Sequence, residues 1–399
     1  KNKYPEIYAT NFNMKQNIWH PKAKELQEEY LRFLIPQIKD YKSLKTICLT
    51  NESNFNTLKF RDFYTPYWHQ YLEKFYNGDI NALNSNYDTS YTSFDEVDLP
   101  EHPTDKTAKG YDWALFNGEV LTRWHQWMAD IIHEYVPNLP INNKNMHYAE
   151  TAWFQSNDTV YGGMDFEMAS TFSEINGCDA NKNYTSTNGV AKIISWYDYL
   201  TSIKDAPIDN SEDHMLPDGS LDFSENNAKY TGLDLWEGAI HGRGLSQIWV
   251  WDYKYSTNHY LGHSPGIRPD LIAEAGRTNL DLNRLAYEIT ALQNAPREVL
   301  HLYSRESSLY YDSRNPWARR GLYDNTLYNG LRTEYATESQ IDKIDASKYK
   351  LLMIPRLHHV KEATLQKIKK FVDDGGKVVI YGTDSLRYNE YNKLHDETL

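Results

Sequence analysis

From residue 45 to residue 292 the chain alternates short, apolar, β-branched runs with longer stretches whose apolar residues recur at three and four. That alternation commits it to an α/β fold with a parallel sheet, because successive parallel strands need a crossover long enough to hold a helix. The first strand is expected in Leu44-Lys45-Thr46-Ile47-Cys48-Leu49-Thr50, after an amphipathic helix over 21–41. Further helices are expected over 111–135, 191–204, 233–241 and 272–292. In the first of these, Trp113, Phe116, Val120, Trp124, Trp127, Met128, Ile131 and Ile132 form the stripe, and Pro137 and Pro140 stop it. That stripe is read as core. Strands are expected over 145–150, 172–179, around 207–212 and over 246–252.

The strands then end near Glu52, Glu150, Asp179, Glu212 and Asp252. A β/α barrel has eight strands, and the residues ahead of Lys45 are too few for three more βα units. The expectation is a (β/α)8 TIM barrel whose N-terminal strands are missing from this chain, about strands 4–8 being readable. A boundary falls at Asn294-Ala295-Pro296. Residues 1–294 are expected to form the barrel. Residues 295–399 are expected to form a flavodoxin-like, doubly wound α/β domain that need not be complete at residue 399. Its strands are expected over 298–303, 350–355 and 377–381, with a helix over 361–374. It has no glycine-rich phosphate loop and no cysteine, which argues against nucleotide binding and thiol amidotransfer.

Carboxylates at strand ends matter because the C-terminal ends of barrel strands face the active site. Asn51-Glu52 ends the first strand. Ala206-Pro207-Ile208-Asp209-Asn210-Ser211-Glu212-Asp213-His214 is a short strand opening into a loop near Glu212. Two glutamates on two barrel strands are what retaining glycoside hydrolysis uses, one attacking the anomeric carbon and one protonating the leaving oxygen. Glu150 and Asp179 are placed at the pocket by the same argument. Asp213 and His214 either orient Glu212, touch the sugar, or serve only the loop. Glu237 is the rival nucleophile, set inside an apolar helical stretch. His241 reads as a packed or capping histidine, and His358-His359 as surface. Arg243 and Trp153 are weaker candidates for substrate contacts.

Composition narrows the partners. With 32 Tyr, 11 Trp and 13 Phe, the chain is rich in the rings that stack on sugar faces. A net charge of −13 without a basic cluster argues against nucleic acid and anionic membrane surfaces. Two cysteines, Cys48 and Cys178, exclude a disulfide framework or a cysteine-rich zinc site, and both read as buried strand residues. No metal and no cofactor is expected, and no run is long enough for a transmembrane helix. Lys1-Asn2-Lys3-Tyr4-Pro5 is neither a signal peptide nor an initiating Met, so the natural N-terminus is expected to be absent. A cytoplasmic location is favoured, with secretion or the periplasm left open.

These residues, with Tyr349-Lys350-Leu351-Leu352-Met353-Ile354-Pro355 and Phe371-Val372-Asp373-Asp374-Gly375-Gly376-Lys377-Val378-Val379-Ile380-Tyr381-Gly382, resemble glycoside hydrolase family 42, the β-galactosidases of the Asn-Glu barrel clan. Leu235-Trp236-Glu237-Gly238-Ala239-Ile240-His241-Gly242 looks like the family's helix 7, and Ile248-Trp249-Val250-Trp251 like its strand 8. The resemblance implies Glu52 as acid/base, Asn51 as the partner of the sugar 2-hydroxyl, Glu212 as nucleophile and Trp251 as the aromatic wall. It implies an exo-acting β-galactosidase on oligosaccharides and a homotrimer assembled through the second domain. One departure stands out. The family commonly has a Glu and a His after strand 8 that grip galactose, whereas Asn258-His259-Tyr260-Leu261-Gly262-His263 carries no carboxylate. β-Mannosides, β-fucosides and marine galactan fragments therefore stay open as substrates. The reading from another class is a non-catalytic carbohydrate-binding or assembly protein.

Overall fold

The computed structural model describes residues 16–146, 162–181, 189–215, 226–249, 267–310 and 315–396. Five strands form the first sheet: β1 (Ile47–Asn51), β2 (Ile141–Met146), β3 (Asn176–Asn181), β4 (Ile208–His214) and β5 (Arg243–Trp249). They lie side by side in chain order, every pair parallel. A parallel sheet that never reverses its strand order is the winding of a β/α barrel wall.

Helices occupy the crossovers. Ala108–His133 joins β1 to β2 and starts at Thr107, whose hydroxyl accepts from Gly110 N at 3.1 Å. Its Trp113, Phe116 and Trp124 are buried as the stripe predicts. They pack with Tyr64 and Trp68 from the helix Arg61–Phe75. The helix Pro21–Ile38 packs alongside, its Gln27 accepting from Trp124 Nε1 at 2.9 Å. Gly189–Ile203 links β3 to β4, and Asn226–Ile240 links β4 to β5. The single helix expected over 272–292 is two, Pro269–Arg284 and Ala286–Gln293, broken at Leu285. No helix among the described residues is long and apolar enough to cross a membrane.

The second sheet holds β6 (Val299–Tyr303), β7 (Thr333–Thr337), β8 (Leu351–Pro355) and β9 (Lys377–Tyr381), all parallel in the order β7-β6-β8-β9. The order reverses at β6, which makes it doubly wound. β7 went unseen in the sequence, while the helix Asn315–Tyr328 falls where helix-like pieces are expected between residues 303 and 350. Thr333-Glu334-Tyr335-Ala336-Thr337 is mostly polar and shows no alternation, yet all five residues are buried. The helix Glu362–Asp373 lays Leu365, Ile368 and Phe371 on this sheet as expected. His359 corrects its surface reading: it is buried, stacked on Tyr310 with ring centroids 4.0 Å apart.

The two sheets share a core. Ile193, Trp196, Tyr197 and Leu200 of the helix before β4 pack with Tyr303, Tyr323 and Tyr335. Across the same seam Tyr335 N donates to Ser202 Oγ at 2.9 Å, and Tyr323 hydroxyl donates to Asp198 Oδ2 at 2.5 Å.

Candidate active site

Polar side chains fill the concave face of β1–β5, an unusual content for parallel strands, which normally read as continuous apolar runs. β2 is the extreme case, with Asn142, Asn143, Lys144 and Asn145 all buried. Alternation sends Asn142 and Lys144 to one face and Asn143 and Asn145 to the other. Asn142 Nδ2 donates to Asp209 Oδ2 of β4 at 3.1 Å, and Gln247 of β5 donates to Asp209 Oδ1 at 3.4 Å. One turn of side chains further along, Lys144 meets Glu212.

Strict alternation would put Asp209 and Glu212 on opposite faces. A bulge resolves this: Cys178 pairs with Asn210 but Asp179 pairs with Glu212, so β4 carries one extra residue at Ser211. Past the bulge Glu212 and His214 share Asp209's face. Asp213 turns outward to the helix layer, where Arg243 Nη1 binds its Oδ2 at 2.5 Å and Ser246 Oγ donates to it at 2.6 Å. Arg243 also binds Asp234 Oδ2 at 2.8 Å, and all three side chains are almost completely buried. Asp213 and Arg243, both considered for the sugar pocket, therefore lie behind the wall.

The inner cluster is built around one ammonium. Lys144 Nζ ion-pairs with Glu212 Oε2, lies 3.4 Å from Glu52 Oε1 and 3.8 Å from Asp179 Oδ2, and its side chain is only 4% exposed. The Glu52 and Glu212 carboxylates thus face each other across one ammonium. His214 Nε2 donates to the other Glu212 oxygen, Oε1, at 3.2 Å. Trp249, at the end of β5, stands beside His214 with ring centroids 5.9 Å apart. Glu52 follows the last residue of β1; its N–H donates to Lys144 O at 3.0 Å and its φ is +48°. A non-glycine residue in the left-handed region costs about 1–2 kcal/mol, and here that conformation swings the carboxylate over the sheet end. Asn51 is exposed at the same edge.

Charge separates the carboxyls. Burial works to raise Glu212, but hydrogen bonds from His214 and Lys144, with their charge, outweigh it and hold the carboxyl below its usual range. Asp179 is pushed up to about 8, chiefly by burial, then by its hydrogen bond to Glu52 and the nearby Glu212 charge. Lys144 loses to burial but gains more from Glu212, Asp179 and Glu52, and remains an ammonium. Asp179, Glu212 and His214 bring ligand atoms within 4.8 Å of one another, as a metal site would. Lys144 Nζ neighbours both carboxylates, so the positive charge there is the ammonium. A carboxyl held low, Glu212, beside one pushed up, Asp179, is the kind of separation that nucleophilic and acid catalysis from neighbouring groups needs.

The structure thus brings Glu52, Asp179, Glu212 and His214 together, and sequence reasoning missed Lys144, Asn142, Asp209, Gln247 and Trp249. The polarity of Ile141-Asn142-Asn143-Lys144-Asn145-Met146 was the signal available for the first two. Glu150, Trp153, Trp251 and the segment 258–263 lie outside the described residues. Glu237 sits half-buried on the helix Asn226–Ile240, and His241 packs on Asp198 at 2.7 Å.

Residues 2–248 match the family described as Beta-galactosidase (Glyco_hydro_42), and residues 306–399 match the Beta-galactosidase trimerisation domain. Beta-galactosidase GalA of Bacillus licheniformis is 24% identical over 336 residues, covering 78% of this chain and 48% of that protein. GanA of Bacillus subtilis is 23% identical over 345 residues, with the same coverage of 78% and 48%. The chain therefore spans about half the length of these relatives. Among solved structures, an apo exo-carrageenase GH42 from Bacteroides ovatus has a TM-score of 0.79 at 22% identity, covering 100% of this chain and 57% of that one. A catalytic mutant of Gan42B, a GH42 beta-galactosidase from G. stearothermophilus, has a TM-score of 0.78 at 18% identity, covering 99% and 61%. The fold is accordingly a TIM barrel followed by a second α/β domain, and the chain belongs to glycoside hydrolase family 42.

Proposed function

We propose that the protein is a retaining, exo-acting β-glycosidase that removes terminal β-linked sugars, most readily β-galactosides, from oligosaccharides by double displacement. The observation that carries this reading is the single ammonium of Lys144 set between the Glu52 and Glu212 carboxylates. A Glu212 oxygen attacks the anomeric carbon. The bond from that carbon to the aglycone oxygen breaks, and Glu52 gives the oxygen its proton. Water then attacks the glycosyl–Glu212 ester, Glu52 takes the water's proton, and the Glu212 carboxylate leaves. His214 and Lys144 occupy one oxygen each of Glu212, which fixes the attacking group's orientation. Asn51 is assigned to the sugar 2-hydroxyl, and Glu150 and Trp251 to the subsite wall.

Trapping with a 2-deoxy-2-fluoro β-galactoside followed by peptide mapping tests the assignment: the label is expected on Glu212. A label elsewhere, or a Glu212→Ala full-length protein with wild-type turnover of aryl glycosides, refutes it. One structural neighbour is by its title an exo-carrageenase. Galactan fragments therefore join aryl β-galactosides, β-mannosides and β-fucosides in the substrate panel.

The division into a catalytic unit, 1–294, and a trimerisation unit, 295–399, is part of the same reading, as is a homotrimer. Its support is the trimerisation-domain match and the sheet edge at β9, where Val379, Ile380 and Tyr381 are 40%, 43% and 55% exposed. Light scattering of the full-length protein is expected to give three times the monomer mass; a monomer at micromolar concentration refutes it.

A further inference from the structure

Beyond orienting Glu212, Lys144 brings a buried positive charge into the site. A lysine side chain 4% exposed is rare unless its charge is matched. Around its Nζ stand Glu52 from the end of β1, Asp179 from β3, and Glu212 from β4. His214 of β4 reaches it through Glu212, and Asp209 and Cys48 lie one layer deeper on β4 and β1. Asp179 is the carboxyl of this cluster that is pushed up, by burial, by its neighbour Glu52 and by the Glu212 charge. The cluster therefore holds one proton on one side and one bare carboxylate on the other. The asymmetry comes from the ammonium, which touches Glu212 directly and stands off from the other two.

We propose that Lys144 is a positioning residue of this site: its ammonium, in contact with Glu212 and set back from Glu52 and Asp179, keeps Glu212 as the bare carboxylate and leaves the cluster's proton to the other side. The inference rests on the roles given above to Glu52 and Glu212. An opposite charge in contact lowers a carboxyl by about 1–3 pH units. Removing it lets Glu212 compete for the proton, so the acid limb of the kcat/KM profile rises. The alkaline limb rises too, because the remaining proton no longer faces a positive charge.

The test is the kcat/KM profile of full-length Lys144→Met and Lys144→Arg from pH 4 to 9 on an aryl β-galactoside, with Glu212→Ala alongside. Lys144→Met is expected to raise both limbs by about 1–3 pH units, which lowers kcat/KM at a pH below the new acid limb about tenfold per unit. Lys144→Arg, which keeps the charge, is expected to restore the limb positions even where kcat falls. A structural defect would lower the plateau without moving the limbs. The proposal is overturned if Lys144→Met keeps both limbs in place while Glu212→Ala is inactive. An active Glu212→Ala instead overturns the underlying role assignment. Should Lys144→Met fail to fold, Lys144→Gln takes its place: limbs raised as for Met support the charge role, and limbs that stay in place overturn it.

Discussion

Replacing Arg243 by Met should be among the most damaging single changes in the barrel. Its guanidinium is 2% exposed and faces Asp213 and Asp234, each 1% exposed. It binds Asp213 Oδ2 at 2.5 Å, Asp234 Oδ2 at 2.8 Å, the Asp234 carbonyl at 3.0 Å and the Tyr197 hydroxyl at 3.4 Å. Methionine fills much of the volume but removes the guanidinium that both buried carboxylates face. Breaking a buried pair by removing one partner costs about 3–5 kcal/mol, and two acids on one arginine place this site at the upper end. Whole domains are stable by only about 5–15 kcal/mol, so a third or more would be lost. Urea unfolding followed by tryptophan fluorescence, to which the chain's 11 Trp contribute, reads the loss. Adding Asp213→Asn and Asp234→Asn should recover much of the loss, since the damage comes from uncompensated charge and not lost packing. A Met variant within about 1 kcal/mol of wild type, or a triple variant no better than the single, would refute the reasoning. Activity should fall as well, because Asp213 is tethered between Glu212 and His214.

Glu52→Gln should lose about 10²–10⁴-fold in kcat/KM on substrates with poor leaving groups and far less on dinitrophenyl glycosides, which need no acid; equal losses on both would remove Glu52 from the acid role. Burial holds His125 and His301 down to about 3 and His359 to about 4. Between pH 6.5 and those values the unfolded chain binds protons the native one refuses, so stability falls with falling pH, by about 1.4 kcal/mol per pH unit for each histidine. His301→Leu should flatten that slope by one histidine's share with little change at pH 7, since neither ring nitrogen of His301 has a hydrogen-bond partner; an unchanged slope in urea titrations from pH 7 to 4 would count against it. Gly177→Ala, whose methyl would run into the Asn143 carbonyl of the adjacent strand, should cost at least about 2 kcal/mol or abolish soluble expression.

Hydrophobic period made most of the architecture legible. The helix Ala108–His133 was readable because its buried face repeats at three and four, and β6, β8 and β9 because they are short apolar runs. β7 was not, because Thr333, Glu334 and Thr337 look solvent-facing until partners across the fold are known; Tyr349 hydroxyl and Lys343 both bind Glu334. Local pattern cannot report a polar group that is satisfied from elsewhere in the chain.

The site failed to read for the same reason, more sharply. Glu52 and Glu212 were visible because carboxylates at strand ends are a known chemical position. Lys144 sits mid-strand in β2, within a polar run that shows no apolar period, and the strand expected over 145–150 begins just after it. Its meaning depends on Ser211: the extra residue turns Glu212 inward and Asp213 outward, and no periodicity in Ile208–His214 announces it. Remove the bulge and alternation would exchange the two acids, setting Asp213 against Lys144 and Glu212 against Arg243. Two cations lie on opposite faces of the wall, one on β2 and one on β5, each paired with its own carboxylate from consecutive positions of β4. The register of β4 is thus held by charge on both faces. Sliding it by one residue would break the Glu212–Lys144 and Asp213–Arg243 pairs together, so the bonds that pin the strand are the same bonds that orient the attacking carboxylate.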